Sequence, residues 1–167
     1  MVAENGVLKY FMKILIAFYS KTGRTQMVAN DLAKNLKSDI DEIVDLKNRD
    51  GIWGWIKAGY DGFKGKLTEI KAQKDPNNYD LVLIGTPIWG CNMVPAVRTY
   101  VTKYKKDLKK VIVFTTSGST KPETTVAQLE TILDGNKVLE FEAWDDADLN
   151  NKKKYQEKLE RFLKRLP

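Results

Sequence analysis

The sequence predicts an α/β fold: a doubly wound, five-stranded parallel sheet in the order 2-1-3-4-5, with helices on both faces. Short apolar runs alternate with amphipathic helical patterns along the 167 residues, a length that suits one domain with its own core. Three of the runs are wholly apolar, which is typical of parallel strands buried on both faces. Connections between parallel strands are right-handed, so few sheet topologies are possible. The order 2-1-3-4-5 places these three strands in the middle of the sheet.

The first two predicted strands flank the first predicted helix. They are the apolar run ILIAF, Ile14–Phe18, and the segment Ile40–Leu46. Between them, apolar residues at helical spacing form one face of a helix: Val28, Ala29, Leu32, Ala33 and Leu36. Residues 1–12 lack the pattern of a signal peptide and are expected to form a short N-terminal arm, and residues 13–167 are expected to form the domain.

The second half of the chain repeats this alternation. Strands three, four and five are predicted at Leu81–Gly85, Val111–Thr115 and Val138–Trp144. Three helices follow them, marked by the apolar positions Val94, Val97, Val101, Tyr104 and Leu108, then Val126, Leu129 and Leu133, and finally Tyr155, Leu159, Phe162, Leu163 and Leu166. In the fifth strand apolar residues alternate with Glu140 and Glu142, so the glutamate face of an edge strand is expected to meet water.

The composition excludes several kinds of chemistry. The chain has no histidine and one cysteine, Cys91, which rules out a Ser-His triad, a histidine base, an internal disulfide and a thiolate metal cluster. The single thiol suits a reducing compartment, so the cytoplasm is the expected location. No apolar run approaches the ~20 residues that span a bilayer. The net charge is +6, but the lysine and arginine residues do not form a basic stripe interleaved with aromatic residues. Nucleic acid is therefore not an expected partner.

Polar turns follow the first, third and fourth predicted strands, and all three are expected at one edge of the sheet. The first turn leads into a helix N-terminus, where free N–H groups and the helix dipole favour an anion. Its residues combine hydroxyls, cations and a glycine: Ser20, Lys21, Thr22, Gly23, Arg24 and Thr25. This composition predicts a phosphate-binding loop, although its spacing differs from that of a nucleoside-triphosphate P-loop.

The second and third turns suit a flat ring. Trp89, between Pro87 and Gly90, offers a stacking surface, with ordinary core packing as the alternative. The third turn, TTSGSTKP, is small enough to place backbone groups against the edge of a ring. A phosphate at one end and a flat aromatic ring at the other describe a mononucleotide.

These motifs resemble those of the flavodoxin family. The family's phosphate-loop pattern, Thr/Ser-x-Thr-Gly-x-Thr, is matched by Ser20, Thr22, Gly23 and Thr25, and GTPIWG followed by VPAVRTYV resembles its ring-binding loop and helix. The resemblance covers residues 13–166 and implies FMN as the cofactor. It implies that the isoalloxazine ring is flanked by Thr86, Pro87, Ile88, Trp89, Gly90, Thr115, Thr116, Ser117 and Gly118.

The resemblance implies a redox function in which bound flavin carries electrons. One form is a carrier that serves a redox partner protein; the other is an NAD(P)H-dependent FMN oxidoreductase acting on quinones or similar small acceptors. The basic charge and the lack of an aromatic residue in the third turn depart from the usual carrier, whereas no motif identifies a nicotinamide site. A binding module that uses the fold without flavin is a third class.

Two further segments carry weaker signals. CNMVPAVRT is similar to a phosphatase loop, but one residue too many separates Cys91 from Arg98. Cys91 is therefore interpreted as a small filler residue or, alternatively, as a redox-sensitive thiol near the ring.

The stretch 51–66 is rich in glycine and aromatic residues. It is expected to pack as a helix on the sheet, or else to cap the flavin or form the self-association patch of a homodimer, with contact to a membrane surface as a third option.

Overall fold

The computed structural model describes residues 12–47, 66–118 and 122–167. The expected arm up to residue 11 and the glycine- and aromatic-rich stretch up to residue 65 lie outside these ranges. The elements in chain order are β1 (Ile14–Phe18), α1 (Arg24–Leu36), β2 (Asp39–Glu42), β3 (Val44–Asp45), β4 (Ile70–Lys71), a 3₁₀ helix (Pro76–Asn78), β5 (Leu81–Trp89), β6 (Asn92–Met93), α2 (Pro95–Tyr104), β7 (Val111–Ser117), α3 (Glu123–Leu133), β8 (Val138–Asp145), α4 (Asp146–Leu149) and α5 (Lys152–Arg165).

The main sheet confirms the predicted strand order. Its path is β2-β1-β5-β7-β8 with every neighbour parallel, which is the order 2-1-3-4-5 of the five predicted strands. The three central strands are the apolar ones, and β1 and β7 are buried along their whole length. Apolar runs take the centre because only there are both of their faces covered.

Two hydrophobic cores cover the two faces of this sheet, as predicted. On one face α2 and α3 contribute Tyr100 and Leu129; on the other α1 and α5 contribute Leu32 and Phe162. No helix in the described ranges is long and apolar enough to cross a membrane.

Four of the five predicted strands differ from the observed ones in their bounds, and for β8 the difference is one residue, Asp145. The segment Ile40–Leu46 divides into β2 and β3, because β3 leaves the main sheet to pair antiparallel with β4. Strand β5 continues past Gly85 to Trp89 and folds back as β6. Strand β7 continues to Ser117 because its residues still pair with β8 there. Much of the second and third predicted turns is therefore strand.

The prediction for the edge strand β8 was wrong about which face meets water. Leu139 and Phe141 are the exposed side chains, at 51% and 36%. Glu140 and Glu142 lie beneath α5 and form ion pairs with Arg165, and Trp144 on the same face is fully buried. The alternating pattern suggested the opposite because it does not show that α5 brings cations to the carboxylates.

Lys158 of α5 joins the edge strand to the short helix α4. Its Nζ lies 2.5 Å from Asp148 Oδ2 and 3.7 Å from Glu142 Oε1, and all three side chains are at most 19% exposed. Burial alone would raise the pKa of Asp148, but hydrogen bonds from Lys158 and the Asp145 N–H, with nearby lysine charges, place that pKa below its ordinary value. Because the folded pKa is depressed, the stability from this carboxylate is present above its unfolded pKa and lost as the pH falls through the folded pKa.

Lys158→Met should therefore lower the free energy of unfolding at neutral pH by about 1–3 kcal/mol, since the largely buried carboxylate of Asp148 loses its cation, whereas Glu142 keeps Arg165. The difference from wild type should shrink as the pH falls below ~4, because the Asp148 carboxylate then becomes protonated, first in the unfolded and then in the folded chain. Urea unfolding at neutral and acid pH measures both quantities. Lys153→Met is the control. The Lys153 side chain is 87% exposed, and its Nζ lies as far as 3.9 Å from Glu157 Oε1. Its substitution should therefore lower the free energy of unfolding by less than about 1 kcal/mol. Equal losses in the two variants would contradict this account.

Candidate functional site

The three predicted turns meet at the carboxyl ends of β1, β5 and β7. Thr25 connects the first turn to the third, because its Oγ1 lies 2.8 Å from Thr116 Oγ1 and both residues are buried. Tyr19 connects the first turn to the second, with its ring centroid 5.8 Å from that of Trp89 and the planes at 84°. Direct contacts thus join all three segments at one edge of the sheet.

The first turn is an open loop that leads into α1. Lys21, Thr22 and Gly23 are exposed, and Gly23, at the N-cap, has a φ of 82° with nothing within 4 Å of the position of a Cβ. The first turn of α1 carries no acidic residue, and Gly23 supplies no side-chain cap. Ser20 Oγ accepts a hydrogen bond from the Gln26 N–H at 3.3 Å. A helix N-terminus with this open glycine corner suits an anion.

Arg24 contributes a positive charge beside this loop and pairs with Asp146. The two side chains are 47% and 42% exposed, and Asp146 begins α4 directly after β8. An exposed ion pair of this kind contributes about 0–1 kcal/mol to stability. The Arg24 guanidinium can therefore exchange Asp146 for an anion that binds it more tightly.

The second predicted turn is the end of β5 and a tight hairpin to β6. Gly90 and Cys91 form its two-residue connection, with φ of 54° and 62°, and Trp89 pairs with Asn92 across it. Trp89 is half-buried: it packs against one core and against the edge of Tyr19. Cys91 is exposed, so its interpretation as a small filler residue was wrong.

Three further residues of the predicted ring site precede Trp89 in β5. Thr86 and Ile88 are buried, and the Thr86 hydroxyl donates to the Pro87 carbonyl at 2.9 Å. Pro87 is partly exposed. Thr86 and Pro87 pair in register with Thr115 and Thr116 of β7, so the second and third segments lie side by side.

The third segment offers an unused hydroxyl. Thr115, Thr116 and Ser117 are buried at the end of β7, whereas Gly118 is exposed. Thr115 Oγ1 is buried without a hydrogen-bond partner among the described residues. A buried polar atom of this kind costs free energy unless a ligand or water satisfies it. The open corner at Gly23 fits an anionic group such as a phosphate, and the Thr115 hydroxyl is a polar group that no described residue satisfies.

Four residues at this edge were not predicted as part of the site: Tyr19, Asn92, Gln128 and Asp146. The signal for Tyr19 was available, since it lies directly before the phosphate-loop pattern and is aromatic. Asn92 and Gln128 are 36 positions apart and meet only because β6 packs against α3. Asp146 follows the edge strand, whose carboxyl end reaches the same edge of the sheet as the three turns.

Comparisons with known proteins agree with this architecture. The FMN complex of a flavoprotein from Lactobacillus acidophilus NCFM is 29% identical, with a TM-score of 0.70 over 83% of this chain and 97% of that one. The apo-form of the flavoprotein from the same organism is 28% identical, with a TM-score of 0.65 over 84% and 96%. The FMN-bound flavodoxin of Fusobacterium nucleatum, 13% identical with a TM-score of 0.55 over 94% and 100%, shares the fold.

The family assignment rests on the sequence as well. No curated protein matches the chain significantly. The family model described as Flavodoxin matches residues 63–166, which is more than half of the chain. This protein therefore belongs to the flavodoxin family.

Proposed function

We propose that this chain binds FMN and carries electrons through the bound flavin in the cytoplasm. The observation that carries the proposal is the convergence of an open, cationic helix N-terminus with the Trp89 hairpin and the unpartnered Thr115 hydroxyl. The Lactobacillus acidophilus flavoprotein, 29% identical to this chain, was solved with FMN. The bound flavin would supply the redox chemistry.

In this proposal the first turn holds the phosphate. The N–H groups at the start of α1 and the hydroxyls of Ser20 and Thr22 donate hydrogen bonds, while Lys21 and Arg24 supply positive charge. Gly23 leaves the corner open for the phosphate oxygens to approach the backbone. Thr25 is committed to Thr116, so its role is to connect the phosphate loop to β7.

The second and third segments hold the ring. Trp89 and Gly90 at the hairpin, with Thr86, Pro87 and Ile88 before them, form one side of the ring site. The end of β7, with Thr115, Thr116, Ser117 and Gly118, forms the other, and Gly118 is its exposed residue.

Two modes of electron transfer are compatible with this site. We place a carrier that serves a redox partner protein first, because no motif identifies a nicotinamide site. The net charge of +6 favours the second, an NAD(P)H-dependent oxidoreductase of quinones or similar small acceptors. Nearby positive charge stabilises the negative charge that two-electron reduction leaves on a ligand.

Stepwise anaerobic reduction of the FMN-loaded protein, followed by absorption, separates these two modes. Two resolved one-electron steps, with little oxidation of NAD(P)H, support the carrier. A single two-electron step with rapid NAD(P)H oxidation in the presence of a quinone supports the oxidoreductase. A protein that retains no FMN contradicts the proposal as a whole.

A further inference from the structure

A chain of hydrogen bonds reaches the Trp89 hairpin from two helices. Arg98 Nη2 of α2 donates to Gln128 Oε1 of α3 at 3.1 Å, Gln128 Nε2 donates to Asn92 Oδ1 at 2.5 Å, and Asn92 Nδ2 donates to the Gly90 carbonyl at 2.6 Å. The Met93 N–H also donates to Gln128 Oε1, at 3.4 Å. We call Arg98, Gln128, Asn92 and the Gly90 carbonyl the Gln128 relay.

The direction of the Gln128 relay follows from the chemistry of Arg98. A guanidinium only donates hydrogen bonds, so the oxygen of Gln128 must face it and the amide nitrogen must face Asn92. Asn92 therefore presents its oxygen to Gln128 and its amide nitrogen to the Gly90 carbonyl. Burial lowers the pKa of Arg98, but an arginine remains protonated over the physiological range. One fixed charge thus sets the orientation of both amides.

The relay ends at a backbone segment that needs support. Gly90 and Cys91 both have left-handed φ, which is uncommon for a residue with a side chain such as Cys91. Conformations of this kind persist where surrounding contacts enforce them. Asn92 is 9% exposed and bonds the Gly90 carbonyl across this connection, directly beside Trp89 in the register of β5 and β6.

We infer that Gln128 and Asn92 are positioning residues that hold the Trp89 hairpin in the conformation that receives the flavin ring. The consequence for flavin binding rests on the proposed function, whereas the consequence for the hairpin itself does not. A purely structural role for Gln128 would instead be to join α2 to α3 through Arg98.

Gln128→Glu separates these two roles. The new carboxylate still accepts hydrogen bonds from Arg98 and the Met93 N–H, so the connection between α2 and α3 is kept. It cannot donate to Asn92 Oδ1, and the two oxygens repel each other, which releases the end of the relay at Gly90. Thr131→Glu is the charge-matched control, because Thr131 is an exposed residue of the same helix whose hydroxyl donates to the Ala127 carbonyl of α3.

The first readout is amide hydrogen exchange over residues 88–93 in the flavin-free protein. We expect exchange there to be about three- to tenfold faster in Gln128→Glu, with an unchanged unfolding midpoint. The second readout is the affinity for FMN and for riboflavin, which should fall by the same factor of about three- to tenfold, because both ligands share the ring. Asn92→Asp, which loses the donor to Gly90, should act in the same way.

Wild-type exchange over residues 88–93 in both Gln128→Glu and Asn92→Asp would overturn the inference, as would equal effects in Thr131→Glu. If Gln128→Glu does not fold, the exchange rate in Asn92→Asp decides the question. A wild-type protein that binds neither flavin would refute the proposed function. The exchange rates would still show whether the Gln128 relay holds the Trp89 hairpin in place.

Discussion

Gly23→Ala should weaken FMN binding by about 5- to 30-fold and leave riboflavin binding unchanged. Gly23 has a φ of 82°, a conformation that costs an L-residue about 1–2 kcal/mol. The added methyl group meets no neighbour, so the effect comes from the backbone, which shifts away from the conformation that aims the α1 N–H groups at the phosphate. Riboflavin has the ring but no phosphate. Fluorescence titrations with the two flavins measure the difference directly.

Gly135→Ala is the matched control for this variant. Gly135 also has a positive φ, 104°, with nothing within 4 Å of a Cβ, and it lies just past α3. Both variants should lose stability on urea unfolding, yet only Gly23→Ala should lose affinity for FMN. An equal loss for riboflavin in Gly23→Ala, or for FMN in Gly135→Ala, would refute the assignment of the first turn to the phosphate.

Trp89→Ala should weaken the binding of FMN and riboflavin by the same factor, about 10- to 100-fold. The stacking of a flat base on an aromatic side chain is worth about 1–3 kcal/mol, and Trp89 is the aromatic residue at the hairpin. The fluorescence of the bound flavin should also rise, because the indole that quenches it is gone. Trp89→Phe keeps a flat ring and should retain most of the affinity.

Trp89 also packs against one core, so a loss of stability has to be separated from a loss of stacking. Tyr104→Ala serves this purpose, since Tyr104 is partly buried against the same core but lies at the far end of α2. It should reduce stability and leave both affinities unchanged. Flavin fluorescence that stays quenched in Trp89→Ala would show that another residue stacks on the ring.

The central part of the fold was predictable because its signals are local and strong. Runs such as Leu81–Gly85 and Val111–Thr115 are typical of the middle of a parallel sheet, and together with right-handed crossovers they predict the strand order. The placement of the three turns at one edge of the sheet follows from that strand order. Predicting that the turns lie together therefore required no knowledge of side-chain contacts.

The parts that sequence did not predict depend on contacts between distant residues. The glutamate face of β8 is covered because Lys158 and Arg165 of α5 lie above it, and no pattern within β8 encodes this. The bond between Gln128 and Asn92 likewise joins two segments that no local motif connects. The segment GTPIWG predicts a turn because it contains two glycines and a proline, although its backbone continues strand β5 as far as Trp89.

Calorimetric titration of the flavin-free wild-type protein with FMN, and separately with riboflavin, tests the central claim most directly. We expect saturable binding of one FMN per chain, and weaker binding of riboflavin because the first turn then has no phosphate to hold. Equal affinity for the two flavins would contradict the role of the first turn. The absence of saturable FMN binding would contradict the proposed function itself.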